Sequence, residues 1–219
     1  MGPATCWAAT SRRRRSCAPR GAPDKPTAAS SGNARASSPR TRSQVRRAVF
    51  LDRDGVINAN LERDGRPVAP TTLAEFRILP GVEDAVRRLK EHGFLVIVIT
   101  NQPDVANGLT ERSTVEAMHD VIRSRLPVDD IRTCFHNDAA GCDCRKPKPG
   151  LILGAATKHD IDLERSYVVG DRWRDVAAGR AAGCTTIFVD YGYKQDGANF
   201  PDEEVQSLPE ATMLIIARG

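Results

Sequence analysis

No apolar run in this chain of 219 residues approaches the roughly 18 residues that a membrane helix needs, so no membrane span is expected. Residues 1–44 hold hardly any large aliphatic side chain, and a single acid, Asp24, against nine lysines and arginines. Such a segment has too little apolar surface to offset the entropy of ordering it, and it is read as a disordered basic tail. It also lacks the apolar centre of a secretory signal. Three origins fit it: an organellar transit peptide, a start assigned upstream of a true beginning at Val45, or, more weakly, a nucleic-acid contact through Arg12–Arg15. The tail carries a net +8; the remainder, with 23 basic and 27 acidic residues, stands at −4. The overall +4 is therefore no argument for a nucleic-acid partner. A disulfide framework is not expected either. Cys6 and Cys17 lie in the tail, Cys184 reads as a small buried hydrophobe, and the other three cysteines crowd together. A soluble monomer of a reducing, cytoplasmic compartment is the expectation.

What is present is a regular alternation of elements over 45–219, taken as one domain. Apolar runs at about 46–52, Phe94–Ile99, Ile131–Phe135, Tyr167–Val169 and Thr185–Val189 read as buried strands. Between them, helical spacing predicts helices from Val82 to about His92, Glu111 to Arg125, Pro149 to His159 and Arg172 to Ala182. Asn58–Ala69 reads as a loop, and about Glu203–Ala217 as a terminal helix interrupted by Pro209. Alternating strands and helices argue for an α/β fold, a Rossmann-like, doubly wound parallel sheet. Ligands of such sheets bind beyond the carboxyl ends of the strands. Three polar groups fall at such ends: Asp52 with Asp54, Thr100 with Asn101, and Asp171.

Asp52 and Asp54 leave the first strand on the same side, with Gly55 marking the exit. Two carboxylates so close are unfavourable unless a cation joins them or one takes a proton. An acidic turn capping a strand is the plain alternative. The chemistry these groups support is phosphoryl transfer: Asp52 as nucleophile and Asp54 as acid and base. Asp171, with Asp52 and a carbonyl near Asp54, would complete a magnesium site of hard oxygen ligands. Asp175, one turn later, would support that site or simply begin a helix. The Thr100 hydroxyl, the amides of its neighbours and the Lys146 ammonium would hold the phosphoryl oxygens.

Asp52-x-Asp54-Gly-Val, Thr100-Asn101-Gln102, Arg145-Lys146-Pro and Gly170-Asp171-x-x-x-Asp175 resemble the four motifs of the haloacid dehalogenase (HAD) superfamily, in order and spacing across 46–190. The resemblance implies a magnesium-dependent phosphatase acting through an aspartyl-phosphate on Asp52. Only 47 residues separate Asp52 from Thr100, which leaves no room for a large cap domain.

Cys134-x-His136-x5-Cys142-x-Cys144 supplies three thiolates and an imidazole, a plausible closed tetrahedral site for structural zinc. This loop, 134–144, followed directly by Arg-Lys-Pro, is similar to the zinc loop of the heptose 1,7-bisphosphate 7-phosphatases and of the histidinol-phosphatases. The resemblance gives Arg145 the distal part of a small phosphorylated substrate and Lys146 the transferred group. The five residues between His136 and Cys142 favour the histidinol type, whereas Arg145-Lys-Pro-Lys-Pro-Gly150 and the capless build favour the heptose type. A bisphosphate would also give Arg145, Arg172 and Arg63 a second anion to hold. Pro103 departs from the heptose pattern, where serine is usual, and it offers no N–H. The heptose bisphosphate is preferred, with histidinol phosphate or another sugar phosphate as alternatives. A non-catalytic, zinc-stabilised binding module is the rival of a different class.

Overall fold

The computed structural model describes residues 45–63, 65–193 and 200–219. The tail assigned to 1–44 lies outside them. Among the described residues six strands form one parallel sheet in the order β5-β4-β1-β6-β7-β8, with β1 Ala48–Leu51, β4 Leu95–Asn101, β5 Asp130–Cys134, β6 Tyr167–Gly170, β7 Thr185–Val189 and β8 Glu203–Val205. Two further strands, β2 Leu61–Arg63 and β3 Arg66–Val68, pair only with each other.

Strand pleating explains the layering. Successive residues of β1 face opposite ways, and all four are fully buried, so both faces of the sheet need cover. Val49 and Leu51, with Val96, Val98, Val169 and Ile187, pack on one side. They meet α1 (Val82–Glu91), α3 (Arg112–Arg125) and α6 (Leu208–Arg218), while the short α2 (Pro103–Ala106) follows β4. Ala48 and Phe50, with Ile97, Ile99 and Val168, pack on the other side against α4 (Gly150–His159) and α5 (Trp173–Ala182). The sheet is thus doubly wound. The chain runs from β1 out to β4 and β5, then returns to lay β6, β7 and β8 on the other side of β1. The order reverses at β1, which opens a crevice beyond its carboxyl end.

Two expectations need correction. The loop expected over 58–69 contains the β2–β3 hairpin, registered Leu61↔Val68 and Glu62↔Pro67. Pro67 and the polar composition hide it, because an isolated edge tolerates a proline that a central strand would not. The helix expected from Glu203 is a strand followed by a helix. Pro209 does not interrupt α6; it stands in the first turn, where the missing N–H costs nothing, behind a Ser207 cap that accepts from the Glu210 amide at 3.3 Å. No domain is inserted between β1 and β4 among the described residues, and no helix there is long and apolar enough to cross a membrane.

Candidate active site

The carboxyl ends of β1, β4 and β6 surround a cavity of about 310 Å³ lined by Asp52, Asp54, Asn60, Asn101, Lys146, Asp171, Asp175 and three arginines, 145, 172 and 174. Asp52 follows β1, Asp171 follows β6, and Asp175 stands in the first turn of α5. Their carboxylates converge, with ligand atoms within 4.8 Å of one another and all three side chains buried. Asp175, expected beside the site, joins the cluster directly. Its Oδ2 accepts from the Arg172 amide at 3.1 Å, capping α5, while Oδ1 lies 2.5 Å from Lys146 Nζ.

Close approach dictates two glycines here. A Cβ on Gly55, whose φ is +83°, would stand 2.2 Å from Asp171 Oδ2, and one on Gly170 would stand 2.2 Å from Asp175 Cβ. Lys146 is buried among its acceptors, Asp52 Oδ1 at 2.8 Å, Asp175 Oδ1 and the Ile99 carbonyl at 3.0 Å. Burial opposes its charge, but Asp175 and Asp52 outweigh that and hold the ammonium well above its usual pKa. Asn101 fixes the lysine's backbone from both sides, accepting from Lys146 N at 3.2 Å and donating to Lys146 O at 3.1 Å.

The cluster carries excess negative charge. Burial, then the Asp175 charge, raises Asp52 well above the carboxylate range, and burial pushes Asp171 up to about 7 even though Arg172 Nε lies 3.3 Å away. Three buried hard-oxygen donors outnumbering their lysine suit a divalent cation such as magnesium.

Asp54 is held apart from that cluster. Its Oδ1 accepts from Arg53 Nη2 and Asn58 Nδ2, each at 3.0 Å, and its Oδ2 accepts from Gln102 Nε2 at 2.7 Å. Burial alone would raise its pKa; Arg53 and the hydrogen bonds reverse that and leave it lowered. Arg53, fully buried with Nη1 3.4 Å from His119 Nε2, escaped sequence reading because nothing marks an arginine between two aspartates as buried. Gln102 also donates to Thr100 Oγ1 at 2.8 Å; both side chains are buried behind Asp54 and do not line the cavity. Arg63, 2.8 Å from Glu75, likewise stands outside it. Arg172 lines it and donates to the Pro67 carbonyl at 2.9 Å, tying α5 to the hairpin.

Cys134, His136, Cys142 and Cys144 meet in one cluster, their ligand atoms 3.2–3.7 Å apart along the bonded edges. A tetrahedron of thiolates at the usual zinc distance has edges of about 3.8 Å, so the four fit zinc. All three cysteines are free thiols, and burial pushes Cys134 up to about 12, a proton that a bound cation would displace. The loop then hands the chain straight to Arg145 and Lys146. Arg145 Nε and Arg174 Nη1 both reach Asp138 Oδ1, at 2.8 and 2.9 Å, and these two arginines hold the Asp138 carboxyl down to about 2. Arg174 carried no motif signal; only the start of α5 brings it to the cavity.

Residues 143–211 match the HAD-hydrolase-like family model. The chain is 41% identical over 160 residues to the D-glycero-β-D-manno-heptose-1,7-bisphosphate 7-phosphatase of Rhodopseudomonas palustris, covering 68% of this chain and 83% of that one. It belongs to the HAD-like phosphatases. A second such phosphatase, from Pseudomonas putida, is 38% identical over 76% of this chain and 91% of its own. Among solved structures, a D,D-heptose 1,7-bisphosphate phosphatase of B. bronchiseptica, complexed with magnesium and phosphate, superposes with a TM-score of 0.69 at 31% identity, covering 79% of this chain and 99% of that one. In this HAD-like phosphatase the four expected motifs therefore fall on the family's own fold.

Proposed function

We propose that this phosphatase removes the 7-phosphate of D-glycero-D-manno-heptose 1,7-bisphosphate. The observation that carries the chemistry is the division of labour between two aspartates two residues apart. Asp52 points into the buried carboxylate cluster beside Lys146, and Asp54 is held outside it by Arg53, Asn58 and Gln102. The names of the relatives support the substrate.

Asp52 is the nucleophile: its carboxylate oxygen forms a bond to phosphorus while the bond from phosphorus to the sugar oxygen breaks. Lys146, 2.8 Å from Asp52 Oδ1, counters part of the rise that burial and Asp175 impose on that carboxyl, and it screens the phosphoryl oxygens. A magnesium ion held by Asp52, Asp171 and Asp175 would add the positive charge that lets an anionic nucleophile meet an anionic substrate. Asp54 gives a proton to the leaving sugar oxygen. Its carboxyl is ordinarily ionised here, and the incoming phosphate charge is what raises its proton affinity. Asp54 then takes a proton from water, whose oxygen attacks the aspartyl-phosphate, releasing inorganic phosphate and restoring Asp52. Asn101 positions Lys146, Thr100 and Gln102 position Asp54, and Arg145 and Arg172 face the rest of the substrate.

We place the enzyme in a reducing, cytoplasmic compartment as a monomer; three free thiols in one ligand cluster support the reducing setting. The deciding experiment is a panel of heptose 1,7-bisphosphate, fructose 1,6-bisphosphate and histidinol phosphate compared by kcat/KM. The heptose compound should lead; a lead for histidinol phosphate would overturn the substrate, and no turnover of any would leave a zinc-stabilised binding module.

A further inference from the structure

Two arginines that reach the cavity from different parts of the chain share one carboxylate at its rim. Arg145 leaves the Cys/His loop, and Arg174 stands in the first turn of α5, yet Arg145 Nε and Arg174 Nη1 lie 2.8 and 2.9 Å from the same oxygen, Asp138 Oδ1. Arg145 Nη2 adds Asp138 Oδ2 at 3.4 Å, and its Nη1 is fixed by the His136 carbonyl at 3.3 Å. Arg174 Nη1 also lies 3.5 Å from the carbonyl of Lys146, the residue whose ammonium meets Asp52. Two guanidiniums converge on a point only where an anion sits between them.

The anion present stands at the solvent edge. The Asp138 side chain is 65% exposed, on a three-residue turn, while that of Arg145 is only 13% exposed. An exposed carboxylate contributes little in such a pair and leaves readily, whereas the arginines stay where their neighbours hold them. A phosphate presents three oxygens to two guanidinium forks and outcompetes one carboxylate. Both arginines line the same cavity as Asp52, so whatever they grip belongs to the molecule being cleaved.

The geometry points to a second anion site: Arg145 and Arg174 together hold the phosphate that is not transferred, and Asp138 fills their grip until it arrives. This rests on the proposed bisphosphate substrate and adds Arg174 as a specificity residue, with Asp138 as an internal competitor. A substrate with one phosphate has nothing to place there, so selection between one phosphate and two is made at this pair.

The test is the ratio of kcat/KM for heptose 1,7-bisphosphate to that for p-nitrophenyl phosphate, with zinc content and melting temperature followed on every variant. Arg174→Gln should lower the ratio about tenfold or more, through KM, with Arg174→Lys restoring part of it. Asp138→Asn should raise the ratio as KM for the bisphosphate falls. An unchanged ratio in Arg174→Gln, or a lowered one in zinc-replete Asp138→Asn, overturns the inference while leaving the heptose reading intact. If the wild type instead prefers fructose 1,6-bisphosphate, the heptose reading fails, and the same ratio measured with that compound still decides this one. Preference for histidinol phosphate overturns both.

Discussion

The Cys/His cluster draws its four ligands from eleven consecutive residues, whereas the carboxylate cluster draws Asp52 from one strand end and Asp171 and Asp175 from beyond another, more than a hundred residues later. The first cluster is soft, neutral until deprotonated, and brought together by a single loop. The second is hard, charged and mutually repulsive, and only the rigid parallel pairing of β1 with β6 forces its members together. They meet at one residue. Lys146 follows the last thiol by two positions and sits among the carboxylates, so the local cluster aims a cation into the distributed one. A cluster made by one loop is a fixture for position; a cluster assembled by a sheet concentrates charge that chemistry can use.

Breaking each cluster separately tests that contrast. Asp52→Asn should have the largest effect: magnesium-dependent phosphate release falls on the order of 10⁴-fold or more while zinc stays stoichiometric. Retained turnover in that variant would remove the covalent mechanism. Cys142→Ser should act in the opposite order. Zinc is lost, melting falls, and kcat/KM drops roughly a hundredfold because Lys146 is misplaced while the carboxylates stay where the sheet puts them. Unchanged metal content, measured by mass spectrometry, would refute the ligand set.

The smallest effect expected is a pH dependence of the magnesium response. Burial raises Asp171 to about 7 from an ordinary 3.8, so the metal-free fold binds this proton more tightly than the unfolded chain does. That contribution to stability is complete below about pH 4 and is lost as pH rises through about 7. Magnesium should therefore raise the melting temperature more at pH 8 than at pH 5, because it replaces the lost proton with a cation. A shift equal at both values, read by thermal denaturation, would mean that the cation binds elsewhere.

The strands were legible because apolar runs between Gly- and Pro-marked turns carry strong periodicity, and all five expected strands of the sheet are present. The hairpin and β8 were not. Three-residue strands have no period to read, and Pro67 and Glu203-Glu204 argue against a strand by composition. In the site, motif order pointed to Asp52, Asp54, Lys146 and Asp171. Arg53, Arg174 and Asp138 escaped, since a charged side chain on a polar stretch looks alike whether it is solvated or shared.

By itself, then, the sequence determined the alternation of elements, the polar groups at three strand ends, and the loop of thiols and imidazole, because each is a matter of spacing along the chain. Only the tertiary structure decided that Asp175 enters the carboxylate cluster, that Thr100 and Gln102 stand behind Asp54, and that Arg145 and Arg174 close on Asp138. Asp175 with Lys146, Gln102 with Asp54 and Arg174 with Asp138 are contacts between side chains on elements far apart in the chain. Their partners are chosen by sheet register and helix placement, quantities that no local pattern records.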